Sequence, residues 1–290
     1  YIIYKLSMSN LKFNILILNW NNKVVLSECI QSILDNTYKN YLITVIDNGS
    51  TDDSIDFIDS NYDNIEFIKI PSNLGYALGY NYAFKKIKNT YDDCWFLLLN
   101  NDTILEKNTL QILAKYANKY GNKNIYSCKI LNLKNKKIWY NGGKISCLTG
   151  NAYHQGINAV DDINQPDIKE TDFVSGCCML INNNLLYKVN GFTPNYNFYY
   201  EDVDLCNKAK KLGSRCYCIS STYISHHISY SLGGRYSFLK FFRKINSFIK
   251  YLFLNNKFQY FIYYVIINII LIPYQIVSLF FKKMKLSYED

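Results

Sequence analysis

In the first hundred residues, apolar positions form short solid runs separated by longer periodic stretches. The runs are Phe13–Leu18 (FNILIL), Leu42–Ile46 (LITVI), Ile65–Ile70 and Cys94–Leu99 (CWFLLL). Runs apolar on both faces are expected of a parallel sheet covered by helices on each side. Between them, Val24–Leu34, Tyr76–Lys88 and Glu106–Tyr120 read as helices, and the second places Tyr80, Ala83, Phe84 and Ile87 on one face. Alternation of this kind predicts a doubly wound α/β sheet. Gly121–Thr171 is irregular, with Gly142, Gly143, Gly150 and Gly156 among polar residues, and predicts short antiparallel strands and loops. Phe173–Ile181 returns to a strand pattern, and Glu201–Leu212 predicts a helix closed by Gly213. Cys216–Ile219 reads as a last short strand.

The pattern changes from Tyr236 onward. Phe258–Phe281 is nearly all apolar, interrupted by Gln259, Asn268, Pro273 and Gln275. It is barely long enough to cross a bilayer, and Pro273 favours two helices over one. Three readings stay open: an interfacial or re-entrant hairpin, a true span, or a helix that covers the core or pairs a homodimer. The chain therefore divides into a tail (1–11), a main α/β domain (12–235) and a helical, apolar and basic C-terminal segment (236–290). Tyr1–Ser7 is too short for a secretory leader, and Met8 is the expected start.

Charge and cysteine content narrow the classes. The chain carries a formal +9, and Lys240, Arg243, Lys244, Lys250, Lys257, Lys282, Lys283 and Lys285 flank the apolar C-terminal stretches. That interleaving suits an anionic membrane surface and argues against a nucleic-acid partner. The nine Cys include no Cys-x-x-Cys pair, which speaks against a zinc ribbon and for free thiols in a reducing cytosol.

Ligands of open α/β sheets bind past the carboxyl ends of the strands. There the sequence places Asn19-Trp20-Asn21-Asn22, then Asp47-Asn48-Gly49-Ser50-Thr51-Asp52, then Ser72-Asn73-Leu74-Gly75, then Asn100-Asn101-Asp102. No phosphate-cradling glycine loop accompanies them, so a bound diphosphate needs another counter-charge, such as a divalent cation on a carboxylate. Asp102 is the candidate ligand, with the alternative that it caps a helix starting near Glu106. Glu201, Asp202 and Asp204 open a predicted helix. They either complement its dipole or, beside Phe198, Tyr199 and Tyr200, include a general base of raised pKa. His226 is either a structural residue or a contact to metal or phosphate.

Taken together, the blocks ILILNWNN, VIDNGSTDDS, NLGYALGYNYAF, LLLNNDTIL, the long FVSGCCMLINNNLLYKVNGFTPNYNFYYEDVDLCNKAKKLG and ISHHISYS resemble the family 2 glycosyltransferases of the rhamnosyltransferase-like branch. The resemblance covers about residues 12–235, the expected glycosyltransferase catalytic domain. It implies the nucleotide-diphospho-sugar transferase (GT-A, Rossmann-like) fold, with the C-terminal segment as a helical, membrane-associating appendage. It also implies inverting transfer from a nucleotide-diphosphate sugar, dTDP-rhamnose-like or a UDP-sugar, to a hydroxyl of a glycan or lipid-linked glycan in cell-surface polysaccharide synthesis. On this resemblance Asn19 and Asp47 contact base and ribose, Asn21 and Asn101 belong to the same donor site, and Asn73 and Gly75 line the nucleotide pocket. Gly176 lies near the donor sugar. Asp102 binds Mg²⁺ or Mn²⁺, His226 contacts the metal or diphosphate, Asp202 is the catalytic base and Glu201 places the acceptor.

The sequence also departs from the family pattern. Asn100 stands where a full D-x-D motif has its first carboxylate, and Asn207 replaces a frequent Arg. Arg243-Lys244-Ile245-Asn246 resembles a basic-Asn element of the family. The expected location is the cytoplasm, at the inner face of the cytoplasmic membrane. Two alternatives stand: a sugar nucleotidyltransferase, for which Asn19–Lys23 lacks the Gly-rich basic loop, and a non-catalytic nucleotide-sugar-binding protein of the same fold.

Overall fold

The computed structural model describes residues 11–88, 90, 93–162, 165–196, 198–227 and 238–266, with side chains of the last stretch from 242 onward. The readings for the N-terminal tail through residue 10, and for the apolar segment beyond 266, lie outside the described residues.

Four parallel strands, β1 (Phe13–Asn19), β2 (Tyr41–Asn48), β3 (Ile65–Ile70) and β4 (Trp95–Asn100), form half of the main sheet in the order β3-β2-β1-β4. Their connections are α1 (Lys23–Leu34), α2 (Ser54–Asn61) and α3 (Tyr76–Ile87). Both faces of these strands are covered. In β4, Trp95, Leu97 and Leu99 enter a core with α1, α2 and the helix α4 (Thr109–Tyr120). Phe96 and Leu98 of the same strand enter a second core with α3. This is the packing that the solid apolar runs predict.

The other half is mixed. It comprises β5 (Thr103–Leu105), β6 (Ile125–Asn132), β7 (Ile138–Tyr140), β10 (Ile168–Thr171), β11 (Cys178–Asn182) and β12 (Cys216–His226), and the full order is β10-β12-β6-β11-β4-β1-β2-β3. β5 pairs with β12 and β7 with β6, while β8 (Gly143–Ile145) and β9 (Ala152–His154) form a separate hairpin. Helices α5 (Asn183–Lys188), α6 (Glu201–Lys211) and α7 (Phe238–Leu254) complete the described elements, with residues 258–266 helical beyond them.

Two pairings position the site. β11 runs antiparallel to β4, so the turn that precedes it, Ser175–Cys177, lies over the carboxyl end of β4, where Asn100 N–H donates to the Cys177 carbonyl at 3.2 Å. β5 runs antiparallel to β12 with His226 opposite Thr103, and His227 N–H donates to the Asp102 carbonyl at 3.0 Å. That pairing brings His226 to Asp102 across more than a hundred residues of chain.

Several elements differ from the sequence reading. The segment 121–171 contains β6, a buried strand inside the sheet whose Lys129 hid its character. Lys129 is buried because it pairs with Asp161 at 2.7 Å and donates to the Ser220 carbonyl. β12 extends seven residues past Ile219, through a register shift between Ile219 and Tyr223 at the polar Ser220-Ser221-Thr222. α4 begins at Thr109, with β5 between it and Asp102, so Asp102 caps no helix. Helix α7 buries Phe248, Tyr251 and Leu252 in the core shared with α3 and α6.

Candidate functional site

A cavity of about 680 Å³ opens at the carboxyl edge of the sheet. Asp102, Gly176, Glu201, Asp202 and His226, which the sequence reading singled out, all line it. So do Tyr76, Trp139, His154, Phe173, Cys177 and Lys244.

On one wall, Asp102 follows β4 and His226 ends β12, with His226 Nε2 3.1 Å from Asp102 Oδ1. The His226 ring also lies 4.0 Å from the Cys177 thiol and 5.0 Å from the Trp139 ring. Burial alone would drive the imidazole neutral. The Cys177 and Asp102 side chains outweigh it and hold the ring well above its ordinary value. His226 Nδ1 is buried without a hydrogen-bond partner. A buried nitrogen left unmade is costly unless a ligand satisfies it.

On the other wall stands the start of α6. Tyr199 and Tyr200 both take left-handed backbone angles, φ 70° and 69°, and the helix begins at the next residue with Glu201 and Asp202 turned into the cavity. The Tyr200 ring packs on Phe248 and Tyr251 of α7, with centroids 5.6 and 5.3 Å away. Burial raises both carboxyls, but to different ends. Asp202 Oδ2 accepts from Gly176 N–H at 3.0 Å and Oδ1 from Val203 N–H at 2.8 Å, and these bonds pull its pKa back. Glu201 has no donor on Oε2; burial and the adjacent Asp202 push it up to about 8. Environments that separate two neighbouring carboxyls in this way suit one to hold a proton while the other accepts one.

Gly176 joins the walls. Its N–H serves Asp202, and its carbonyl accepts from the Tyr76 hydroxyl at 2.7 Å. A Cβ at Gly176 would fall 2.6 Å from the Tyr76 oxygen, so a side chain has no room there.

The remaining predicted residues, Asn19, Asn21, Asp47, Asn73, Gly75 and Asn101, are not among those that line the cavity. They form a hydrogen-bonded web over the ends of β1–β3. Asn19 is fully buried, donates to Ser50 and Ser54, and accepts from Asn101 at 2.8 Å. Asn21 accepts from Thr51 N–H and Asp47 from Ser50 N–H. Asn73 accepts from Gly75 N–H and from Asn48. Asn19 thus ties the loops after β2 and β4 to the end of β1.

Among the described residues no cluster of three or more His, Cys, Asp or Glu is arranged to hold a metal ion. Asp102 and His226 supply one oxygen and one nitrogen donor. That pair is compatible with a hard divalent ion, which takes few protein ligands and completes its shell with water and phosphate oxygens.

Sequence reasoning missed Trp139, His154 and Lys244. The first two lie in the segment read as short antiparallel strands and loops, where β7 pairs locally with β6 and β8 with β9, but the mixed polar sequence does not show where each strand falls. Lys244 lies in a tail read for its membrane character.

Comparison with known proteins gives concordant findings. The sequence model of the family described as glycosyl transferase family 2 matches residues 14–189. An N-acetylglucosaminyl-diphospho-decaprenol L-rhamnosyltransferase of Mycobacterium tuberculosis is 21% identical over 209 residues, 66% of this chain and 68% of that protein. The rhamnosyltransferase WbbL of Escherichia coli K12 is 26% identical over 176 residues, 58% and 66% of the two chains. Among solved structures, GalNAc-T7 with UDP, GalNAc and Mn²⁺ superposes with a TM-score of 0.62 at 11% identity, over 74% of this chain and 43% of that one. TarS 1–349 of S. aureus with UDP gives 0.55 at 14%, over 83% and 65%. The chain thus spans less than two thirds of either of these structures, and at such identity the likeness establishes the fold, a GT-A architecture.

Proposed function

The chain belongs to glycosyl transferase family 2, and on that footing we propose that it transfers a sugar, rhamnose or a related hexose, from a nucleoside-diphosphate donor to a hydroxyl of a lipid-linked glycan, with inversion. The observation that carries the proposal is the convergence on one cavity of the Asp102–His226 pair and the Glu201–Asp202 pair. The first two suit the diphosphate end of a donor, and the second two suit proton transfer. The rhamnosyltransferases among its relatives support the donor class, and the diphospho-decaprenol in one relative's name supports a lipid-linked acceptor.

In the proposed reaction the acceptor oxygen attacks the anomeric carbon from the face opposite the diphosphate. Asp202 takes the hydroxyl proton as the new glycosidic bond forms. The bond from the anomeric carbon to the phosphate oxygen breaks, and the nucleoside diphosphate leaves with the electron pair. Of the two carboxyls, Asp202 is the better base, because two backbone N–H groups stabilise its anion. Glu201, pushed up to about 8, holds its proton at neutral pH and can donate a hydrogen bond to an acceptor oxygen. A divalent ion, Mg²⁺ or Mn²⁺, when bound by Asp102 and His226, supplies positive charge against the leaving diphosphate.

We also propose contact with the inner face of the cytoplasmic membrane through the C-terminal segment. No helix among the described residues is long and apolar enough to cross a membrane. Phe242, Phe253, Phe258, Ile262 and Ile266 are exposed, and basic residues flank the apolar sequence. Homodimerisation is a further proposal, for which no described contact speaks.

The experiment is a screen of purified protein against sugar nucleotides, with and without Mn²⁺ or Mg²⁺, reading nucleoside diphosphate release and product anomer. Diphosphate release from a nucleoside triphosphate, or a retained anomeric configuration, would overturn the proposal.

A further inference from the structure

Helix α7 was expected to serve the membrane, yet it sends a side chain into the cavity. Lys244 lines it beside His154, Trp139 and His226, and among the described residues it is the only Lys or Arg to do so. Its charge is felt at His154, whose imidazole, mainly through burial and then partly through Lys244, falls to about 4. Three carboxylic acids line the same cavity, but Lys244 forms no ion pair or hydrogen bond with any of them among the described residues. Lys244 is itself exposed, so its ammonium is reached from solvent through the cavity that it lines. An ammonium group on a cavity wall without a protein counter-ion is a point charge available to an anion that enters.

The helix that carries it is fixed. Phe248, Tyr251 and Leu252 are buried in the core. Ser247 donates to the Phe198 carbonyl at 2.6 Å, Lys250 to the Asn195 carbonyl at 2.9 Å, and Asn255 to Asp204 at 2.8 Å. Position 244 is therefore set relative to the acid pair by contacts on three sides.

We infer that Lys244 receives the diphosphate of the donor, so that α7 completes the donor site from beyond the expected end of the catalytic domain. The inference rests on the donor reading proposed above. It also supplies a cation where the sequence lacks a phosphate-binding glycine loop and places the neutral Asn100 in the cavity lining. A lysine serves here as a point charge against phosphate oxygens.

The test uses the full chain in isothermal titration with dTDP and UDP, each against its nucleoside, for wild type, Lys244→Met, Lys244→Arg and the control Lys123→Met, an exposed lysine that does not line the cavity. Lys244→Met should weaken the nucleoside diphosphate that wild type binds by roughly 10- to 100-fold. It should leave nucleoside binding unchanged and flatten the dependence on salt. Lys244→Arg should retain most of the affinity, and Lys123→Met should match wild type. If wild type binds a diphosphate and Lys244→Met binds it equally well, the inference falls and the donor reading stands. Equal losses for nucleoside and diphosphate would mean a structural effect and also sink it. If wild type binds neither diphosphate, the donor reading fails and the inference fails with it.

Discussion

Replacing Glu201 with Gln should make the protein more stable, and more so as the pH rises. Glu201 is buried, its Oε2 has no partner, and burial with the neighbouring Asp202 pushes it from an ordinary 4.5 to about 8. The folded chain then holds this proton more tightly than the unfolded chain. Stability from the group is complete below the ordinary carboxylate value and is lost as pH climbs toward about 8, above which the penalty is constant. At about 1.4 kcal/mol per pH unit the whole rise would amount to about 5 kcal/mol. Asp202 shares the same repulsion, so about 2–3 kcal/mol falls to Glu201 itself. Gln keeps the shape and cannot ionise. For a chain of this size that difference corresponds to a melting temperature about 5–10 °C higher than wild type near pH 9, shrinking toward zero near pH 4. Calorimetric melting of both proteins across this range reads it directly. Parallel curves, with the same offset at every pH, would refute the claim that the Glu201 proton is held by the fold.

The same site yields further expectations. Asp202→Asn should lower kcat by about 10²–10⁴-fold while nucleotide affinity stays near wild type; turnover within a few-fold of wild type removes Asp202 as the base. The pH profile of kcat/KM should be bell-shaped, falling on the acid side as Asp202 protonates and on the alkaline side near pH 8 as Glu201 ionises, with the alkaline limb absent in Glu201→Gln. Asp102→Ala should abolish the part of nucleotide binding that chelator removes; equal chelator sensitivity in the variant would assign the ion elsewhere. Truncation after residue 235 should yield unfolded protein, since Phe248, Tyr251 and Leu252 each contribute about 1.5–3 kcal/mol of burial to a stability of about 5–15 kcal/mol. Replacing the exposed Phe253, Phe258, Ile262 and Ile266 together with Ser in the full chain should weaken its sedimentation with anionic vesicles; unchanged sedimentation would place the membrane contact elsewhere.

The parallel half of the sheet was legible in the sequence because its determinants are local. The run at β3 and the helix at α3 agree with the structure to within a residue, and the motifs at their ends carried the family resemblance. In the mixed half β11, α6 and the start of β12 were legible too, but β6 was not, because its polar positions find partners far away. Ser127 and Lys129 in β6 look like loop residues until Asp161 and Ser220 are beside them. The acids and His226 were read correctly as one group because their motifs are compact. Lys244 was noticed within the basic-Asn element but not assigned to the site, because nothing in a basic, apolar helix distinguishes one lysine from its neighbours; only the packing of Phe248 and Tyr251 decides which of them turns toward the cavity.

The paired left-handed residues Tyr199 and Tyr200 set the angular phase of α6. Successive residues of an α-helix are rotated by about 100°, so the residue at which winding starts decides which side chains point inward. A change of one residue in the Phe192–Tyr200 loop that moved the start of winding by one position would swing Val203 or Tyr200 into the direction now held by a carboxyl. Here the starting point is held by a tyrosine ring wedged against α7, which makes the C-terminal helix the reference against which the acids are aimed.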